Sequence, residues 1–120
     1  MKKTYYHATP QDNVIGKIMR EGILPGWDGY VYLAESEIDA LKFMYMKYFY
    51  RSANAPTMAV IPIVLDDSEV KESFDHNQEW YGCRAWKYKG TIQPCSFPDI
   101  KHINSIKLYT FPYGIKVRTA

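Results

Sequence analysis

Cysteine is scarce in this chain. Its two thiols, Cys83 and Cys95, are isolated, with no CxxC motif and no histidine at ligand spacing. No metal site is expected, because zinc needs several such ligands in close register. The pattern leaves a disulfide open, with reduced thiols the expectation for a cytosolic protein. Glycine loops that cradle phosphates are missing too: neither GxGxxG nor GxxxxGK[ST] occurs, which removes both common nucleotide-phosphate loops. No stretch approaches about 18 apolar residues, the length a membrane helix needs, so no membrane partner is expected. Met1-Lys2-Lys3-Thr4 imitates the start of a signal peptide, but Tyr5-Tyr6-His7 follows in place of an apolar segment. A cytoplasmic location is expected. An excess of charge of one sign is nearly absent: the net charge is +2, too weak to argue for nucleic acid by itself. There are no repeats or low-complexity segments, and no Ser-His-Asp or Cys-His motif.

What is present is a single domain, residues 1–120, expected to be a monomer. Hydrophobic residues make up 47% of it, enough to drive a globular core. The unusual number is 11 tyrosines. Tyrosine joins a flat apolar ring to a polar tip, which suits half-buried sheet positions and ligand-lined clefts alike.

Residues 4–7 read as a short strand. Thr9-Pro10-Gln11-Asp12 then reads as a helix start, with Thr9 as cap, Pro10 at the first helical position and Asp12 able to bond back. Val14, Ile15, Ile18 and Met19 form one helix face, and Gly22 ends it. A turn over 23–26 leads through Trp27-Asp28-Gly29 into a strand, Tyr30-Val31-Tyr32-Leu33. Ser36-Glu37-Ile38-Asp39 opens a second helix with an apolar face of Leu41, Met44, Tyr45 and Tyr48. After a polar break at 51–56, residues 57–65 read as a strand, with Pro62 marking an edge or bulge. Residues 66–78 read as a polar loop. Arg84 to Lys89 alternates, with Trp86 and Tyr88 opposite Lys87 and Lys89, as a half-exposed strand does. Residues 106–111 and 115–117 flank Pro112-Tyr113-Gly114 as a hairpin. The order strand, helix, strand, helix, then strands gives an α+β fold rather than a doubly wound sheet.

Of the three histidines, His76 sits in a polar loop and His102 on a surface-like segment. His7 is different. At a strand end, its imidazole can reach a ligand hydroxyl, and the small Ala8 beside it lets a ligand approach the backbone. The N–H groups of a helix starting at Thr9 favour anionic or polar ligand groups.

Tyr6-His7-Ala8-Thr9-Pro10, the apolar-faced helix, Glu21-Gly22-Ile23-Leu24-Pro25, Gly29-Tyr30-Val31-Tyr32-Leu33-Ala34-Glu35-Ser36 and Ala40-Leu41 together resemble the ADP-ribosyltransferase superfamily. The likeness is to its small members with a His-Tyr-Glu triad and to RNA 2′-phosphotransferase-like domains. It covers residues 4–65 well and the rest loosely. It implies a split pair of small curved β-sheets, with two N-terminal helices, clasping NAD in a cleft. His7 would bond a ribose hydroxyl, the Ala8 backbone would hold the nicotinamide amide, and Tyr32 would stack on the nicotinamide ring. Many members carry glycine where Ala8 stands. Tyr30 competes with Tyr32 for the stacking role, and both face one side of the strand. The third residue of the triad would be a glutamate, with Glu79 the candidate and Glu72, Asp75 and Gln78 its competitors. Its carboxylate would stabilise charge on the ribose as nicotinamide leaves and orient the incoming group. The implied activity is NAD-dependent transfer of ADP-ribose to a macromolecular acceptor, nucleic acid or protein. The alternatives are a non-catalytic module of the same fold and an RNA 2′-phosphotransferase. The phosphotransferase branch carries histidine where this chain has Tyr32, and usually an additional domain.

Overall fold

The computed structural model describes residues 1–10, 12, 17–48, 57–74, 84–97, 107–109 and 118–119. It is a small α+β fold of two antiparallel sheets and two helices. In chain order come β1 (Lys2–Pro10), α1 (Met19–Glu21), β2 (Tyr30–Leu33), α2 (Glu37–Tyr48) and β3 (Met58–Asp66). A 3₁₀ turn (Asp67–Glu69), β4 (Val70–Ser73), β5 (Ala85–Lys89), a second 3₁₀ turn (Pro94–Ser96), β6 (Lys107–Tyr109) and β7 (Arg118–Thr119) follow. One sheet has the order β1-β3-β6-β7 and the other β2-β5-β4.

The continuous apolar run of β3 is explained by burial on both faces. Ala59, Ile61, Ile63 and Leu65 join Tyr5, Val31, Leu33 and Val70 in the larger core. Met58 and Val60 join Ala8, Ala34, Ala40 and Leu41 in a second core under α2. A strand buried on both sides loses the alternation that marks a half-exposed one. The second helix starts where the sequence puts it: the Ser36 hydroxyl accepts from the Asp39 N–H at 3.1 Å. Gly22 ends the first helix at φ +84°, and its N–H still bonds the Ile18 carbonyl at 2.9 Å. Only glycine serves there, since a Cβ would stand 2.2 Å from the Ile92 carbonyl oxygen.

Two expectations are corrected. Thr9 and Pro10 are not a helix cap; they are the last residues of β1, with Thr9 opposite Ala59 and Pro10 opposite Met58. Thr9 is buried, and that burial keeps it in the sheet. Helical structure is present further on, at residue 12 and from Lys17. Residues 66–73 are not a loop either. Asp66 caps the first 3₁₀ turn, and Val70, buried in the core, leads into β4, which pairs along its length with β5. The remainder of that expected loop, and the break at 51–56, lie outside the described residues.

Pro62, expected to mark an edge or bulge, lies within β3, which stands between β1 and β6 in its sheet. It stands opposite Tyr6, whose N–H and C=O turn away from β3 to bond Ala34. In an antiparallel ladder its partner then also points its backbone groups away from β1; the described pairing of β3 with β6 covers Met58 to Val60. No ladder bond with β1 is lost by placing proline there. The strand at 84–89 forms as expected, as β5. Of the expected terminal hairpin, 107–109 are strand β6, while its turn and its second strand at 115–117 lie outside the described residues; β6 pairs with β7 at Arg118–Thr119.

Candidate functional site

Among the described residues the two sheets meet through one backbone bridge and then part. Tyr6 N–H bonds the Ala34 carbonyl at 2.9 Å and Ala34 N–H returns to Tyr6 at 3.0 Å. Continued as an ordinary antiparallel ladder, the next pair would be Ala8 with Tyr32. Instead the Tyr32 carbonyl lies 3.0 Å from His7 Nδ1. The imidazole spans the gap between the strands. Ala8 has the same parity on β1 as Tyr6, so its N–H and C=O turn towards the gap rather than towards β3.

A carbonyl only accepts, so Nδ1 carries the proton and Nε2 is the acceptor nitrogen. Desolvation holds the His7 pKa below its ordinary 6.5, while the bond to the Tyr32 carbonyl works weakly the other way. His7 is therefore neutral at pH 7, and its Nε2 suits a ligand hydroxyl.

The opposite wall is β2. Val31 and Leu33 point into the core, and Tyr30 and Tyr32 point into the opening, as the alternation of a strand requires. The turn before β2 fixes both rings. Gly29 N–H bonds Gly26 C=O at 3.0 Å, Gly26 N–H bonds Tyr30 C=O at 3.0 Å, and Gly29 takes φ +85°. The Asp28 carboxylate accepts from the Tyr30 N–H at 3.1 Å and from the Tyr32 hydroxyl. Those two bonds, the hydroxyl first, hold Asp28 below its ordinary 3.8 and so ionised at neutral pH. Lys87 Nζ lies 4.5 Å from the centre of the Tyr30 ring, a favourable cation–ring contact.

Between these walls lies a cavity of about 450 Å³, inside the range of about 300–1,000 Å³ typical of small-molecule sites. His7, Ala8, Tyr30 and Tyr32, all picked out from the sequence, line it together. Thr9, the fifth expected binding residue, is buried and does not line it. Phe43 and Met44 of α2 also line it, and the exposed Leu24 and Trp27 stand at its mouth. Asp28 is the residue the sequence reading passed over. Asp-Gly just before a strand signals an Asx turn, which would have placed a carboxylate beside Tyr30. Glu79 lies outside the described residues, as do Asp75, His76, Gln78, Cys83 and His102. Glu72 is held elsewhere: Arg84 donates to it from Nε at 3.1 Å and from its terminal nitrogen at 2.5 Å, and it does not line the cavity.

Cys95 is a free, exposed thiol. Among the described residues no group of three or more His, Cys, Asp or Glu side chains could hold a metal ion, and no helix is long and apolar enough to cross a membrane. No family model matches the chain, and no characterised relative matches it in sequence.

Proposed function

We propose that the protein is an NAD-dependent ADP-ribosyltransferase with its site in the cleft between β1 and β2. The observation that carries this reading is the parting of the two strands at Ala8. The backbone there offers one N–H and one C=O side by side towards the cavity, and a primary carboxamide such as that of nicotinamide has the complementary pair. His7 Nε2 accepts from a ribose hydroxyl, and the ring of Tyr32, pinned by Asp28, stacks on the flat nicotinamide. Phe43 and Met44 add apolar lining.

NAD supplies the ADP-ribosyl group: its glycosidic C–N bond breaks, nicotinamide leaves with the electron pair, and the acceptor adds at the anomeric carbon with loss of a proton. The chain's part is to hold the leaving amide at Ala8 and the ribose at His7, and to offer a carboxylate to the positive charge that builds on the sugar. Glu79 is assigned that carboxylate and the acceptor's proton. With labelled NAD and a cell extract, the wild type is expected to release nicotinamide and label a macromolecule. His7→Ala should lower both, and Glu79→Gln should slow transfer by about 100-fold or more. A silent wild type, or equal signal from His7→Ala, overturns the reading.

A further inference from the structure

The face of the second sheet that carries Tyr30 and Tyr32 continues away from the cavity as a row of cations. In register, Tyr32 stands beside Lys87, Lys87 beside Lys71, and Tyr30 beside Lys89. Residues paired across antiparallel strands project to the same side, so Lys71, Lys87 and Lys89 share the face of the two tyrosines. Lys71 and Lys89 are exposed. Among the described residues the other strand residues of this face are Ser73 and Ala85; Glu72 projects from the opposite side and is paired with Arg84. Asp28, at the cavity, is engaged by Tyr30 and Tyr32. The chain's net charge is only +2; among the described residues of this face three lysines stand against one carboxylate, Asp28, whose charge reaches Lys87.

At the mouth of the same cavity stands Trp27, fully exposed (100%), with Leu24 beside it at 54%. Tryptophan is ordinarily among the most buried residues on average. Its backbone here is the second residue of the hydrogen-bonded turn Gly26–Gly29, so the indole is presented from a fixed base. A flat exposed ring beside a row of cations matches one kind of polymer: stacked bases on a phosphate backbone. A protein acceptor offers no regular array of anions to meet three lysines. A duplex keeps its bases stacked inside and offers no free face to Trp27.

From this placement we infer that the macromolecule recognised at the cleft is a single-stranded nucleic acid, with its phosphates along Lys71, Lys87 and Lys89 and one base stacked on Trp27. Trp27 is thereby the specificity residue of the acceptor side, and the base it holds is brought to the cavity mouth. The inference rests on the cleft reading for its chemistry but not for its binding, which is measured without NAD.

The test is fluorescence anisotropy of the full chain with a labelled mixed-sequence strand of about 12 nucleotides, as DNA and as RNA, at about 50 mM salt. The wild type is expected to bind at least one of them with a dissociation constant below about 100 µM and a salt slope of about −2, as about three phosphate contacts to a single strand require. Trp27→Ala should weaken binding about tenfold and Trp27→Phe should restore most of it. Lys71→Gln with Lys89→Gln should reduce the slope to about −0.7. A duplex of the same sequence should compete poorly. The inference is overturned by no binding to either strand up to about 100 µM, by unchanged affinity in Trp27→Ala, or by a duplex that competes as well as the single strand. Label from NAD that stays on protein after nuclease treatment overturns it in favour of a protein acceptor. Failure of binding leaves nicotinamide release to judge the cleft, and failure of nicotinamide release leaves binding to judge the face.

Discussion

Strand β1 has two flanks, and they are built on opposite principles. Against β3 it forms an unbroken antiparallel ladder from Lys2 opposite Asp66 to Pro10 opposite Met58. Against β2 it makes one bridge, Tyr6 with Ala34, and then stops. The closed flank buries apolar side chains on both faces of β3 and supplies the cohesion of the fold. The open flank places a side chain, His7, where a backbone bond would be, and leaves strand edges facing a cavity. An unpaired edge inside a fold is normally avoided or covered; here it lines a site.

The cross-strand partners His7 and Ile61 allow a direct comparison of the flanks. Ile61 is fully buried, and Ile61→Ala is expected to cost about 2–5 kcal/mol in urea unfolding, taking activity down only through loss of folded protein. His7→Gln keeps a donor for the Tyr32 carbonyl and should cost no more than about 0.5–1.5 kcal/mol. It should nevertheless lower nicotinamide release by at least about tenfold, the worth of one lost hydrogen bond in a cleft. Equal ratios of stability loss to activity loss in the two variants would erase the distinction between the flanks.

Tyr32 gives a smaller effect. Tyr32→Phe removes the hydroxyl that Asp28 accepts but keeps the ring. Nicotinamide release is expected to fall only a few-fold, chiefly through KM, whereas Tyr32→Ala should lose the further stacking contribution of about 0.5–1.5 kcal/mol. Indistinguishable Phe and Ala variants would move the stacking role to Tyr30.

The closed flank and the strands beside it were legible because their chemistry is local. Alternation marked β2 and β5, and the apolar run marked β3. The Ser36 cap and the Gly22 stop were read correctly because each satisfies backbone groups within a turn or so of itself. Thr9-Pro10 misled because Thr-Pro suits a strand end as well as a helix start, and only the burial of Thr9 against the sheet decides between them. β4 was hidden because Lys71 and Glu72 stand between its buried ends, Val70 and Ser73. His7, Ala8, Tyr30 and Tyr32 could be named from the sequence, but the reason they meet could not. The parting of β1 and β2 depends on one bridge between residues far apart in the chain, and no local pattern encodes where a ladder stops. Asp28 was missed for a related reason: its turn is local, but its bond to Tyr32 matters only once the ring is known to face a cavity.

The smallest expected effect is on pH dependence. It separates a neutral His7 in the open flank from a charged one. Burial lowers the folded-state pKa of His7 below 6.5, so between the two values the unfolded chain binds more protons than the folded one. Stability therefore rises with pH across that window and is level above it. Wild-type stability should begin to fall as the pH drops below about 6.5, and His7→Gln should lack that step. Asp66, whose side chain accepts from Ser68 and whose pKa is lowered from 3.8 to about 2, supplies a separate loss that starts only as the pH falls below 3.8 and is unchanged in the variant. Urea midpoints measured from pH 8 to pH 2 resolve the two steps. A first step that survives His7→Gln would show that the imidazole is solvated like any surface histidine, and the gap between β1 and β2 would then be spanned by something other than a buried neutral ring.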